Sequence, residues 1–200
     1  GRAMVKLPLH PRLAHMVERG ASTHAADLAA LLSERDSLGR SAGADITSRM
    51  EQTRGPARER IRQTSRQIRQ IAGIRDGASD LSAAVLVALA FPDRIAQRRG
   101  GGGRYRLSGG GGAALPEHDS LAVHDFLAVA TTDGASGDRK IFLAAPLSLA
   151  EIEAEYGDLI EIHDGVSWDS RAKVVSSSRS RRLGALVLED KPNTSADPTL

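Results

Sequence analysis

"RIAQRRGGGGRYRLSGGGG", residues 94–112, places two runs of four glycines around one short polar segment, with five arginines and one tyrosine. Three readings compete: a phosphate cradle, a flexible linker, or two tight turns of a sheet. A P-loop needs G-x-x-x-x-G-K-[ST], because its Lys and hydroxyl reach phosphate and magnesium. Neither glycine run is followed by Lys-Ser or Lys-Thr. The loose dinucleotide-type match "GGGGAA" (109–114) runs into "LPEH", not into a helix. Tight turns on either side of a strand "RYRLS" fit better, since glycine takes positive φ without strain. In that strand Arg104 and Arg106 share one face and Tyr105 takes the other.

The rest of the chain bounds what such a hairpin can belong to. Its 200 residues allow one large or two small domains. With 40% hydrophobic but only 3% aromatic residues, the core must be built from Leu, Ile, Val and Ala. No cysteine is present, which excludes disulfides and thiolate metal sites. No apolar run approaches the ~20 residues of a membrane span, and no signal-peptide pattern opens the chain, so a cytoplasmic piece of a longer protein is expected. The net charge of +2 conceals an asymmetry. Residues 1–110 carry 19 Lys and Arg against 10 Asp and Glu, and residues 111–200 carry 8 against 15. A polyanion would favour the first half and the glycine-rich junction.

Outward from the hairpin, the two sides differ in periodicity. Up to residue 90 the pattern is helical. "HPRLAHMV" spaces Leu13, Met16 and Val17 on one face, with Pro11 in the first turn. "STHAADLAALLSERD" follows with Ser22 as N-cap, then a weaker "GADITSRMEQ". Pro56 opens "ARERIRQTSRQIRQIAGIR", which puts Ile61, Thr64, Ile68 and Ile71 on one face and Arg58, Arg62, Arg66 and Arg69 roughly opposite. "LSAAVLVALAF" (81–91) reads as a buried helix, with Ser79 or Asp80 as its cap and Pro92 as its stop. Beyond Phe91 short β-like runs alternate with Gly, Asp and Ser clusters, interrupted by one helix, "SLAEIEAEY", with Ser148 and Glu151 as a capping box. The fold expected is α+β: an all-α bundle over 7–90, then a small β-barrel over 91–190 with one intervening helix. The tail 191–200 reads as a linker.

Few residues invite chemistry. "HDSLAVHD" (118–125) matches no standard metal-ligand spacing, and no nucleophile motif such as G-x-S-x-G occurs, so neither a catalytic nor a metal site is expected. Single-strand binders combine a cationic groove with stacking aromatics. Arg94, Arg98, Arg99, Arg104 and Arg106 supply cations and Tyr105 the ring, set against the bland alternative of a charged, soluble sheet edge. Arg58, Arg62, Arg66 and Arg69 form a secondary basic face, of the kind any surface helix shows. Trp168 is expected to anchor the barrel, and "SSSRSRR" (176–182) to be a solvated loop.

Several motifs together carry a family resemblance. "LPLHPRLAHMV" (7–17), "FPDRIAQRRG", "LPEHDSLA" and "LAAPLSLAEI" resemble the region after the winged helix in bacterial HrpB-type DExH-box helicases. The resemblance implies that residues 1–6 end a winged helix, that the bundle follows, and that the barrel is an OB-fold. It implies a parent ATP-dependent helicase whose ATP and Mg sites lie in RecA-like domains absent from this sequence, so this part carries no cofactor of its own. It implies single-stranded nucleic acid (RNA or DNA) and the RecA-like core of the same polypeptide as partners, with the bundle and barrel roofing the strand channel. The competing expectation is an intramolecular clamp or protein-docking module with little nucleic-acid affinity, favoured by the few aromatics and the acidic second half.

Overall fold

A computed structural model describes residues 7–34, 43–75, 81–134, 137–169 and 174–192. The first ninety residues are helical, as their periodicity requires: α1 (Pro11–Gly20), α2 (Thr23–Ser33), α3 (Ile46–Gln52), α4 (Gly55–Ala72) and α5 (Ala83–Ala90). Ser22 caps α2 by accepting the Ala25 N–H. Ser82 rather than Ser79 or Asp80 caps α5, accepting from Val85 N–H; the two expected caps lie outside the described residues, as does the segment 1–6 assigned to a winged helix. On α4 the inward face is Ala57, Ser65 and Ile68, with Ile61 and Thr64 half-buried. Ile71 departs from the expected stripe and is 39% exposed, lining an open hollow with Leu7, Val17 and Ala21.

Every residue of α5 from Ala84 to Ala90 is buried. A helix apolar all round must be covered on all sides. Here α1 and α2 cover one side, and strands β4 (Phe126–Thr132) and β5 (Arg139–Leu147) the other. That placement explains the unbroken apolar run of β4. Phe126, Ala128 and Ala130 join the bundle core around α5, while Leu127 and Val129 point into the barrel.

The barrel consists of β1 (Ile95–Arg98), β2 (Arg104–Leu107), β3 (Gly112–Ala114), β4 and β5, closed in the order β1-β2-β3-β5-β4. All pairs are antiparallel except β3 with β5. Its interior is aliphatic apart from Tyr105, the bulkiest group there, which occupies space left by Ala96, Ala113 and Ala144. Ala44, from the segment before α3, completes this core; the Ala144 N–H donates to Ala44 O over 2.8 Å, so the bundle contributes to the wall it adjoins.

The glycine runs are the two expected turns. They join β1 to β2 and β2 to β3, and five of the eight glycines have positive φ. Gly103 shows why a side chain is excluded: φ is +67°, and a Cβ would lie 2.5 Å from Leu115 O.

The α+β class stands, but the single barrel expected over 91–190 does not. It closes within 95–147. Helix α6 (Leu149–Tyr156), with the Ser148–Glu151 capping box in place, then leads to a separate antiparallel sheet, β6 (Glu161–Asp169), β7 (Val174–Leu183) and β8 (Leu186–Pro192). Because β1 already pairs with β4, the barrel has no free edge to accept further strands. "SSSRSRR" is consequently the central strand of that sheet, not a loop. Lys191 and Pro192 of the expected linker end β8, while 193–200 and the side chain of Trp168 are outside the described residues.

The sheet is fastened to the barrel at defined points. Gln97 of β1 bonds the β8 backbone twice, its amide donating to Val187 O (2.7 Å) and its carbonyl accepting from Val187 N–H (3.1 Å). The Ala185 N–H donates to Ser108 O (2.9 Å), and Arg181 on β7 pairs with Glu153 on α6 (2.7 Å).

Candidate nucleic-acid interface

The alternation of β2 sorts the candidate residues. Arg104 and Arg106 are exposed on its outer face, while Tyr105 and Leu107 are buried in the barrel. Among the described residues, neither Arg104 nor Arg106 has a side-chain hydrogen bond or ion pair. Both guanidinium groups are therefore available to an anion.

Tyr105 is not available. It is fully buried, and its hydroxyl shares its proton between Leu121 O (2.9 Å) and His124 O (3.0 Å). Burial pushes its phenol up to about 12. The expectation that Tyr105 stacks on a base is thus overturned: the strand's two-residue period that exposes Arg104 and Arg106 turns Tyr105 inward.

Three other arginines have intramolecular work. Arg98 grips Asp125, ahead of β4, through two N–H groups at 2.6 and 3.2 Å. Arg99 reaches Asp138, ahead of β5, at 3.5 Å. Arg94 lies at the bundle–barrel junction, donating to Ala130 O (2.9 Å) and stacking over Phe91 with its guanidinium carbon 4.9 Å from the ring centroid. Its desolvation lowers its pKa. Arg58, Arg62 and Arg66 are exposed on α4 and Arg69 is half-buried there; that helix packs on α2, so the stripe belongs to the bundle and not to the barrel hairpin.

The register adds residues the sequence did not single out. Arg104 pairs with Ala114, and Ala114 with Lys140 of β5, so Arg104 and Lys140 share one row of the sheet two strands, about 10 Å, apart. Lys140 lies over the ring of Phe142, its Nζ 5.7 Å from the centroid. Arg104, Arg106, Lys140 and the half-buried Phe142 thus form a cationic face with one aromatic ring. The "RKIF" alternation was the signal, but only the parallel β3–β5 pairing sets it beside β2. No group of acidic, His or Cys side chains among the described residues is arranged to hold a metal, and no described helix is long and apolar enough to cross a membrane.

Comparison with known proteins bears on this arrangement. A family model described as ATP-dependent RNA helicase HrpB, connector region, matches residues 159–192. These are the residues of the separate sheet and its approach, so the family model treats as one unit what the barrel's closure leaves outside. The ATP-dependent RNA helicase HrpB of Escherichia coli (strain K12) is 34% identical over 200 residues, covering 96% of this chain and 24% of the relative. The chain corresponds to the C-terminal region of an HrpB-type helicase. Two solved structures of HrpB from Escherichia coli, titled a DExH-box NTPase and a DEAH/RHA helicase, superpose with TM-scores of 0.82 and 0.79. They are 31% and 28% identical, over 98% and 99% of this chain and 24% and 25% of their own. The chain therefore spans about a quarter of the length of these HrpB relatives, with the bundle, barrel and connector sheet in the same arrangement.

Proposed function

We propose that this region is an accessory part of an ATP-dependent helicase that contributes to single-stranded nucleic-acid binding and helps roof the strand channel, without an ATPase site of its own. The observation that carries the reading is the pair Arg104 and Arg106, without a side-chain partner among the described residues, on the outer face of β2 two strands from Lys140 and Phe142. Five-stranded barrels of the OB class bind oligonucleotides on the face of strands 2 and 3 and the adjoining loops, and the closed order β1-β2-β3-β5-β4 supports reading this barrel as one of them. Cations follow the phosphates and a ring accepts a base. On this reading ATP and Mg act in RecA-like domains of the parent helicase. The Escherichia coli relative is described as an RNA helicase, which favours RNA over DNA as the strand.

The test is a fluorescence anisotropy titration of the chain with single-stranded RNA, single-stranded DNA and duplex at several salt concentrations. Saturable single-strand binding that weakens as salt rises is expected. Binding indifferent to salt, or none at low salt, refutes the reading. The burial of Tyr105 and the intramolecular pairing of Arg98 and Arg99 favour a second reading, an intramolecular clamp or protein-docking module. Tight binding to the separately produced RecA-like core with no detectable nucleic-acid binding would select it.

A further inference from the structure

The junction between bundle and barrel holds a second cluster of cations. A cavity of about 330 Å³ opens there, lined by His10, Arg12 and Leu13 of α1 and its cap, Phe91 and Arg94 of the short linker between α5 and β1, and Ala130 and Thr131 of β4. Arg12 and Arg94 both stack on Phe91, with guanidinium carbons 5.5 and 4.9 Å from the ring centroid. A ring that orients two guanidinium groups holds them close together despite their repulsion. Arg139, at the start of β5, is near enough to add its field to that of Arg12 on Arg94. The carboxylate among them is Asp93, which takes a hydrogen bond from Arg12 and lies 3.9 Å from Arg94 Nε. Three cations thus face one anion. Arg94 Nε is itself buried and, among the described residues, has no hydrogen-bond partner, with Asp93 Oδ2 at 3.9 Å, a costly state for a charged donor. His10 accepts the Arg12 N–H at Nδ1 over 3.3 Å, which leaves Nε2 as the protonated donor of the neutral ring. The first turn of α1 adds the positive end of its dipole.

Structural need alone does not explain this composition. Arg94 already anchors to Ala130 O, and the ion pair of Arg12 with Asp93 would join α1 to the linker without a second and third cation nearby. We infer that this bundle–barrel cleft is a phosphate-binding subsite, in which Arg12, Arg94 and His10 take one phosphate group of a nucleic-acid strand, at its 5′ end or within it. The inference rests on the proposed function for the source of the phosphate. The cleft itself is independent of the Arg104–Arg106 face.

Inorganic pyrophosphate is the probe, and the side-chain Nε–H resonance of Arg94 is the readout. Addition of pyrophosphate to the full chain shifts that resonance saturably. Arg12→Gln weakens pyrophosphate binding about fivefold, the effect of one partly exposed charge, and Arg139→Gln weakens it less. Arg104→Gln leaves it unchanged. Both Arg12 and Arg139 are exposed enough for their variants to fold, and an unchanged far-UV spectrum verifies that. A single-stranded RNA oligonucleotide displaces pyrophosphate. Stronger displacement by the 5′-phosphorylated form than by its 5′-hydroxyl twin identifies a terminal phosphate, and equal displacement an internal one. No saturable shift of Arg94, or a shift that Arg12→Gln leaves intact, overturns the inference. Failure of the oligonucleotide to displace pyrophosphate overturns the nucleic-acid source. If the cleft fails while oligonucleotide binding still depends on Arg104 and Arg106, the proposed function survives without it.

Discussion

Replacing Arg104 and Arg106 together by Gln separates them from the arginines already in ion pairs. Each cation that neutralises a phosphate releases condensed counterions, so log Kobs falls with log[salt] by about 0.7 per contact on a single strand. Arg104 and Arg106 are exposed with no acidic partner among the described residues, so their loss flattens that slope by about 1.4. Across a roughly fourfold range of salt, the ratio of parent to variant affinity then changes about sevenfold. Arg98 supplies the control. Its charge faces Asp125 at 2.6 Å, and the double variant Arg98→Gln, Asp125→Asn removes the pair without changing net charge. That variant leaves the slope where it was. The assay is anisotropy of a labelled single-stranded RNA at several salt concentrations, with thermal melting of each variant as a folding check. A slope that falls as far for the Arg98–Asp125 variant as for the Arg104–Arg106 variant would refute the argument that partnership selects the binding cations.

Four further outcomes follow from the packing. Tyr105→Phe removes the hydroxyl's bonds to Leu121 O, which keeps the His124 N–H, and to the part-buried His124 O, and lowers stability by about 0.5–1.5 kcal/mol in denaturant unfolding, while RNA affinity is unchanged because the ring never meets the strand. Gly184 has φ +56° and a Cβ there would lie 2.4 Å from Ser108 O, so Gly184→Val loosens the connector sheet, read as faster amide exchange at Ala185 and Val187. Ala21, the left-handed C-cap of α1 at φ 40°, is strained for any residue with a Cβ, and Ala21→Gly raises stability by up to about 1 kcal/mol in the same unfolding assay. Burial tends to raise the Glu151 pKa, but hydrogen bonds from Ser82 and Ser148 outweigh it and hold the carboxyl below its ordinary value. A depressed acid stabilises the fold above its unfolded pKa and loses that contribution as pH falls through the folded one, so the deficit of Glu151→Ala relative to the parent, measured by thermal melting, narrows only in the acid range below the ordinary glutamate pKa.

Local chemistry in the sequence determined a good deal of this region. The helices of the first ninety residues follow from 3.6-residue periodicity and Ser caps, and the glycine runs read as turns because positive φ is a property of single residues. The Ser148–Glu151 capping box needed only a spacing of three. The opposed faces of Arg104 and Tyr105 follow from the period of a strand, although the inward face then removed Tyr105 from the candidates that composition suggested. What the tertiary structure decided is non-local. Which arginines remain unpaired depends on Asp125 and Asp138, carried close by the ends of other strands. Lys140 and Phe142 reach Arg104 only through the parallel β3–β5 pairing, and Arg12 meets Arg94 only where α1 crosses the linker to the barrel. The limit of the barrel was equally hidden, since the strands after α6 carry the same β-like signals as those before it. Pairing of β1 with β4 exhausts the barrel's hydrogen-bonding edges, and no local pattern in β6, β7 or β8 records that closure.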